Sequence, residues 1–174
     1  MAVEGPRELV RISSEANLTI SVAESCTGGL LSSAITDVPG ASACFLGGMT
    51  AYSNDAKSSL LGVDPRTITR YGAVSRQTAA AMAERCKGLF GSDISCAISG
   101  IAGPTGGTSR KPVGTVFIAV AGGGRRTVSE GFMLGDMGRK RFKAAAVERA
   151  IGMMLGRART IIDGGEVDGI GLSP

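Results

Sequence analysis

The chain has 174 residues, of which 43% are hydrophobic and 20% charged, with a formal net charge of +4; this describes one ordinary globular domain with room for a core and excludes a disordered chain. No apolar run approaches the roughly 18 residues of a membrane span, and Met1-Ala-Val-Glu-Gly-Pro-Arg-Glu8 is not a signal peptide. Histidine is absent, so a Ser-His-Asp triad, a Cys-His pair and histidine-ligated zinc or iron are all excluded within the chain.

Cys26, Cys44, Cys86 and Cys96 show no C-x-x-C spacing and sit among apolar residues. They read as packing thiols of a reduced, cytoplasmic protein and offer no metal site. The mild positive charge favours anionic ligands without requiring nucleic acid. Glycine is abundant, with 27 residues, about twice the usual share, which implies tight turns and backbone that approaches a ligand closely.

Taken in order, Pro6–Ala16 reads as a first helix with proline near its start. Leu18–Ala23 is a strand with alternating β-branched residues, and Leu30–Thr36 is a short helix broken by Asp37-Val-Pro-Gly40. Cys44–Ser53 reads as a second strand, and Asn54–Leu61 as a short helix with Asn54 or Ser53 as N-cap. Asp64-Pro65 opens a connection carrying Arg66 and Arg70 to Gly72-Ala-Val-Ser75. Ser75 caps an amphipathic helix with Ala79, Met82, Ala83, Cys86, Leu89 and Phe90 on its apolar face. Asp93–Ser99 is a third strand, running into the glycine-rich turn Gly100–Gly107. Val113–Val120 and Thr127–Leu134 flank Gly122-Gly-Gly124 as a hairpin. A last helix spans about Gly138 to Leu155, with one row of Phe142, Ala146, Ala150 and Met154 beside another of Val147, Ile151 and Leu155. The expected organisation is a single domain over 1–158 and a loosely ordered tail over 159–174, with no internal repeat.

This order predicts a mixed sheet with helices on both faces, and ligands in such sheets bind beyond the carboxyl ends of the parallel strands. Three segments follow strands: Glu24–Gly29, Tyr52–Lys57 and Ser99–Gly107. If those strands are parallel, the segments meet at one rim. Ser25 then sits on a strand-to-helix turn whose free N–H groups suit an oxyanion or a phosphate. With no imidazole, the base for a serine nucleophile must be a lysine, a tyrosine or a carboxylate. Tyr52 and Lys57 lie five apart across a turn into a helix. A neutral Lys57 facing Ser25, with Tyr52 relaying a proton or steadying the oxyanion, makes a histidine-free acyl-transfer site. The competing readings are a plain structural turn, a solvated lysine and a packing tyrosine, with Cys26 as a rival nucleophile in the same site.

Ala23-Glu-Ser-Cys-Thr-Gly-Gly29, Tyr52-Ser-Asn-Asp-Ala-Lys57, Gly72-Ala-Val-Ser75, Ser99-Gly-Ile-Ala-Gly-Pro104 with Gly106-Gly107, and Lys111-Pro-Val-Gly-Thr115 occur in that order. Together they resemble the CinA C-terminal-domain family, whose stand-alone members include nicotinamide mononucleotide deamidases. The resemblance covers most of the chain, from the first helix to about Leu155. It implies a three-layer α/β/α sandwich around a mixed, mostly parallel sheet with one antiparallel hairpin, and hydrolysis of nicotinamide mononucleotide to nicotinate mononucleotide and ammonia for pyridine nucleotide recycling. By position it places the catalytic roles on Ser25, Lys57 and Tyr52.

Cys26, Thr27, Gly28 and Gly29 would supply oxyanion N–H groups, and Glu24 would face the pyridinium or the ribose or form a structural salt bridge. Asn54, Ser99 and Gly100 fall in the matched blocks as substrate-binding positions. Gly103, Gly106, Gly107 and Arg141 would hold the phosphate. The family's Gly-Asp-Arg turn is interrupted here: Met137 follows Gly135-Asp136, Arg141 matches the family's second arginine, and Arg139 is a substitute for the lost one. No cofactor and no metal is implied. The expected partners are the nucleotide substrate and further copies of the chain, as a homodimer or higher oligomer in the cytoplasm, and neither membrane nor nucleic acid. Two other readings stay open: a non-catalytic nucleotide-binding protein, and a competence- or DNA-damage-linked accessory protein supported only by Arg125-Arg126 and Arg139–Lys143. Two tyrosines, no tryptophan and no DNA-binding motif argue against the latter. Larger CinA proteins carry an added N-terminal domain with no counterpart in this sequence.

Overall fold

The computed structural model describes residues 4–165. Its elements are α1 (Glu4–Glu15), β1 (Ile20–Glu24), α2 (Leu30–Thr36), β2 (Phe45–Thr50), α3 (Pro65–Tyr71), α4 (Arg76–Phe90), β3 (Ile94–Gly100), β4 (Thr115–Gly122), β5 (Arg125–Met133) and α5 (Arg139–Gly165). The predicted elements are present with small shifts at their ends, and α3 is an addition. Asp64-Pro65 does more than open a connection. The Asp64 carboxylate accepts from the Arg66 N–H at 2.8 Å, and Pro65 occupies the first helical position, where its missing N–H costs nothing. The last helix also outruns its expected end. It continues through Gly165 where a loose tail was expected from residue 159, and residues 166–174 lie outside the described residues.

The five strands form one sheet in the order β2-β1-β3-β4-β5. β1 is parallel to both β2 and β3, and β4 and β5 follow as antiparallel neighbours, so β4 alone runs against the rest. The β4–β5 turn needs positive φ at both central residues, and Gly123 (φ 69°) and Gly124 (φ 64°) supply it.

Side chains alternate across β1, β3 and β4. Ile20, Val22, Ile94, Cys96, Ile98, Val116, Ile118 and Val120 face one layer, where they pack on Leu9, Leu31, Ile35, Phe142, Ala146 and Ala150 of α1, α2 and α5. On the opposite face the sheet offers the small residues Ala23, Ala97, Ala119 and Ala121, against which Ala79, Met82, Ala83 and Cys86 of α4 pack. Leu89, expected on that apolar face, is 57% exposed, because the final turn of α4 uses Phe90 to reach the sheet instead: a Cβ on Gly47 of β2 would stand 2.7 Å from the Phe90 ring. No described helix is long and apolar enough to cross a membrane.

This topology places the site. The connection from β1 leads to α2 on one face, and the connection from its parallel neighbour β2 leads through residues 51–63 to α3 and α4 on the other. Diverging connections from adjacent parallel strands leave a crevice at their carboxyl ends. Ser25 follows β1 and Lys57 follows β2.

Candidate active site

Glu24 and Ser25 are consecutive at the end of β1, so the strand period sends them to opposite sides. Glu24 is fully buried on the α2 side. Its carboxylate accepts from the N–H groups of Gly29 (3.1 Å), Leu31 (3.0 Å) and Ser32 (2.8 Å) and from the Ser32 hydroxyl (2.8 Å). Among the described residues it forms no salt bridge, and it holds the otherwise unpaired amides at the start of α2. The expectation that Cys26 through Gly29 all supply oxyanion donors is narrowed accordingly. Gly29 donates to Glu24, and Gly28 donates to the Ser25 carbonyl at 3.1 Å. Among the described residues, the N–H groups of Cys26 and Thr27 donate to no backbone carbonyl. Gly28 (φ 64°) and Gly29 (φ 96°) both need the left-handed conformation that makes this turn tight.

Ser25 extends the ladder of β1, its N–H donating to the Ile98 carbonyl of β3 at 3.0 Å. On its side of the sheet stands Lys57. The chain from Asn54 to Leu60 is helical, but Ala56–Leu60 is wound as a π-helix, closed by the Leu61 N–H on the Ala56 carbonyl at 3.1 Å. Ser53 caps its first turn, accepting from the Ala56 N–H at 3.0 Å. The wider turn carries Lys57 inward, where it is only 1% exposed. Lys57 Nζ lies 3.1 Å from Ser25 Oγ, 3.1 Å from the Ala51 carbonyl and 3.0 Å from the Tyr52 carbonyl. No carboxylate pairs with it among the described residues. Burial lowers its pKa from the ordinary lysine value, against a smaller opposing effect of Cys26. The Lys57 ammonium donates to all three oxygens; once it loses one proton, its two N–H groups still satisfy the two carbonyls and its lone pair is left for the Ser25 hydroxyl.

Cys26 is a poor rival nucleophile. Burial pushes its thiol up to about 12, so it stays protonated near neutrality. All four cysteines are buried free thiols.

Tyr52 contributes its backbone to Lys57, while its side chain is 59% exposed. The Tyr52 hydroxyl accepts from Arg139 Nη2 at 2.7 Å and makes no hydrogen bond with Ser25 or Lys57. Arg139 Nη1 also donates to the Gly103 carbonyl at 3.1 Å. One guanidinium at the start of α5 thus joins the loops after β2 and β3. Of the glycine-loop residues, Gly103 is the one tied to the site by a contact. Gly106 and Gly107 lie on the exposed loop, and Gly107 packs against the Val113 backbone. Ser99 donates its hydroxyl to the Ala73 carbonyl at 2.7 Å, a structural tie. Gly100 makes room for Phe142, whose ring would stand 3.0 Å from an added Cβ. Asn54 is exposed in the first helical turn.

Arg141 is exposed and makes no polar contact with the site. At 3.6 residues per turn it lies about 160° around α5 from Arg139, whereas Lys143 shares the Arg139 face. Lys143 Nζ stands 3.6 Å from the Cβ position of Gly28. A signal for it was present in the sequence. The buried row Val147 and Ile151, extended back by fours, reaches Lys143 and then Arg139, so a helix lying on the sheet brings both cations to its rim.

Comparison with known proteins agrees with this architecture. The chain is 58% identical over 113 residues to a CinA-like protein of Chlorobaculum tepidum, covering 65% of this chain and 27% of that protein. It is 52% identical over 137 residues to a CinA-like protein of Thermotoga neapolitana, covering 79% of this chain and 33% of that one. It thus spans about a third or less of the curated relatives it matches. Among solved structures, the competence/damage inducible protein CihA of Agrobacterium tumefaciens superposes with a TM-score of 0.87 at 39% identity, covering 89% of this chain and 94% of that one. A CinA superfamily protein of Klebsiella pneumoniae gives 0.87 at 29% identity, covering 92% and 99%. The CinA C-terminal domain family matches residues 5–157, and the chain belongs to that family.

Proposed function

We propose that this chain is an amidohydrolase that converts nicotinamide mononucleotide to nicotinate mononucleotide and ammonia through a Ser25-bound acyl intermediate. The observation that carries the reading is the buried, carboxylate-free contact of 3.1 Å between Lys57 Nζ and Ser25 Oγ. Neutral Lys57 takes the hydroxyl proton as Ser25 Oγ attacks the amide carbon. The developing oxyanion meets the Cys26 and Thr27 N–H groups, backed by the turn into α2. Protonated Lys57 then gives its proton to the departing nitrogen, which leaves as ammonia. Water attacks the ester, losing one proton to Lys57; Ser25 regains that proton as it is expelled, and the released acid gives water's second proton to solvent to become the carboxylate. The substrate's pyridinium withdraws electrons from the amide, and its positive charge disfavours a charged Lys57.

The basic clusters favour a small ligand over a duplex. Gly122 pairs with Ile94 at the start of β3, so Arg125-Arg126 lies at the end of the sheet opposite Arg139–Lys143, and the two form no continuous strip. We place the enzyme in the cytoplasm, where its thiols stay reduced, as a homodimer or higher oligomer of one amidase domain over 1–158. The test is ammonia release from nicotinamide mononucleotide by wild type, Ser25→Ala and Lys57→Ala. Each variant is expected to lose about 10³-fold or more in kcat while keeping a cooperative thermal transition. Absence of turnover in folded wild type, or full turnover in folded Ser25→Ala, rejects the mechanism.

A further inference from the structure

Two of the sequence blocks, Gly72-Ala-Val-Ser75 and Lys111-Pro-Val-Gly-Thr115, have no role in the mechanism at Ser25, yet the structure joins them to each other. Lys111 is half-buried, and its ammonium donates to the Tyr71 carbonyl at 2.9 Å and the Val74 carbonyl at 2.6 Å. Tyr71 ends α3, where carbonyls have no intrahelical partner, and Val74 precedes Ser75, the N-cap of α4. The carbonyls between them are held as well. Gly72 accepts from the Ser75 hydroxyl at 3.0 Å and the Thr78 hydroxyl at 2.7 Å, and Ala73 accepts from Ser99. Gly72 has φ 84°, and a Cβ there would stand 3.3 Å from Lys111 Nζ, so the glycine both makes the turn and admits the ammonium.

The loop beyond β3 is held by far fewer bonds. Pro104 through Arg110 are exposed. Its tip closes on itself, the Thr108 N–H donating to the Lys111 carbonyl at 2.8 Å and the Lys111 N–H to the Thr108 hydroxyl at 3.1 Å. From residue 102 to residue 111, among the described residues, the hydrogen bonds that reach the rest of the protein are those of Lys111 Nζ and the one that the Gly103 carbonyl accepts from Arg139. These two anchors are coupled through Val113: a Cβ on Gly103 would stand 2.6 Å from its side chain, and one on Gly107 2.7 Å from its backbone nitrogen. Contacts this close leave no slack. Displacing Lys111 displaces the Gly103 carbonyl, and with it the guanidinium that also holds the Tyr52 hydroxyl.

We propose that Lys111 is a positioning residue, a latch that pins the 102–111 loop to the α3–α4 connection and so fixes the Gly103–Arg139–Tyr52 chain at the rim of the site. The latch itself needs no turnover; only its kinetic consequence rests on the amidase reading. Ser25 and Lys57 make no hydrogen bond with the loop among the described residues. Loosening it therefore acts on how the ligand is held rather than on the reacting groups.

Trypsin reports on the latch, because Arg110 is exposed in the loop while the bond after Lys111 resists cleavage, being followed by Pro112. The rate of cleavage after Arg110, relative to the same bond in the denatured chain, is measured in wild type, Lys111→Met and Lys111→Arg, each with a cooperative thermal transition. Lys111→Met keeps the stem without the ammonium and should raise the rate about tenfold, as expected when charged hydrogen bonds to carbonyls are lost. Lys111→Arg should restore protection, since a guanidinium can span two carbonyls, as Arg157 does in this molecule. With nicotinamide mononucleotide, Lys111→Met should raise KM about tenfold and leave kcat within about twofold, and Lys111→Arg should return KM toward wild type. An unprotected bond in wild type, unchanged cleavage in Lys111→Met, no protection in Lys111→Arg or, in an active enzyme, a KM that does not move overturns the proposal. Protection that follows this pattern in a protein that releases no ammonia sinks the amidase reading and leaves the latch in place.

Discussion

The molecule buries two basic side chains in the same manner at opposite ends of its sheet, and only one of them stands beside a hydroxyl. Lys57 is 1% exposed and donates to the Ala51 and Tyr52 carbonyls, while Arg157 is 7% exposed and donates to the Gly122 carbonyl at 3.1 Å and the Arg126 carbonyl at 2.9 Å. Burial lowers the pKa of both. The difference lies in what each can release and what stands next to it. A guanidinium keeps its proton at any working pH, so Arg157 can only clamp the β4–β5 turn onto α5. An ammonium can lose its proton, and Lys57 has a hydroxyl within reach. A backbone cradle for a buried cation is therefore not by itself a catalytic feature; it becomes one when the cation can deprotonate beside a nucleophile.

The most direct way to break this contrast is to give the first site the second site's side chain. Lys57→Arg keeps the carbonyl partners but removes the base and fixes a positive charge in the cradle, and is expected to lower kcat/KM by about 10³-fold across the pH range. In wild type the rate should rise with pH through a single ionisation lying below the ordinary lysine value of 10.5. The sign for stability is the same. Between the folded and unfolded pKa values of Lys57 the unfolded chain binds more protons, so unfolding free energy rises with pH in that window, and below the folded value the slope disappears. Lys57→Arg should show neither dependence. Retained turnover in that variant would assign proton transfer to another group.

A third buried charge sharpens the comparison from the opposite sign. The Glu24 carboxylate is cradled by N–H groups as the two basic side chains are cradled by carbonyls, and among the described residues it too has no ion-pair partner. Glu24→Gln turns an all-acceptor group into one that presents an amide donor to Gly29, Leu31 or Ser32. The start of α2 must then shift, and with it the Cys26 and Thr27 N–H groups. Turnover is expected to fall by about ten- to a hundredfold through kcat, with KM nearly unchanged. A rise in KM at constant kcat would return Glu24 to the ligand-facing role that the sequence suggested for it.

The parts of this site that follow from local pattern were legible, and the parts that follow from neighbours were not. The glycine turn, the two parallel strand ends and the apolar row of α5 are periodic or punctuated, and that pattern alone brings Ser25 and Lys57 to one rim. Asp64-Pro65 carries a helix-start signal, but the seven residues that follow are too few to show a helical period. The π winding at Lys57 has no local signature in Ala56-Lys-Ser-Ser-Leu60; it accompanies a lysine that reaches carbonyls and a hydroxyl on other segments. The capping by Glu24 spans five to eight residues, beyond the reach of a capping box. Arg141 was singled out by family position, yet helix geometry favours Lys143.

The smallest expected effect is at the far cation and tests the contrast from the other direction. Arg157→Lys replaces a fork that spans two carbonyls with a single ammonium, and should cost about 1–2 kcal/mol of stability at pH 7, read as a lower melting temperature. Turnover should stay within about twofold of wild type, because the β4–β5 turn registers with the start of β3 and the reacting groups stand at its end. The new lysine can deprotonate where arginine cannot, so part of the lost stability should return as pH approaches 10.5, the ordinary lysine value. Such a variant would hold two buried lysines in carbonyl cradles at opposite ends of the sheet. Only the cradle at Lys57 has a serine hydroxyl beside the amine, and that neighbour is what separates a proton acceptor from a structural clamp.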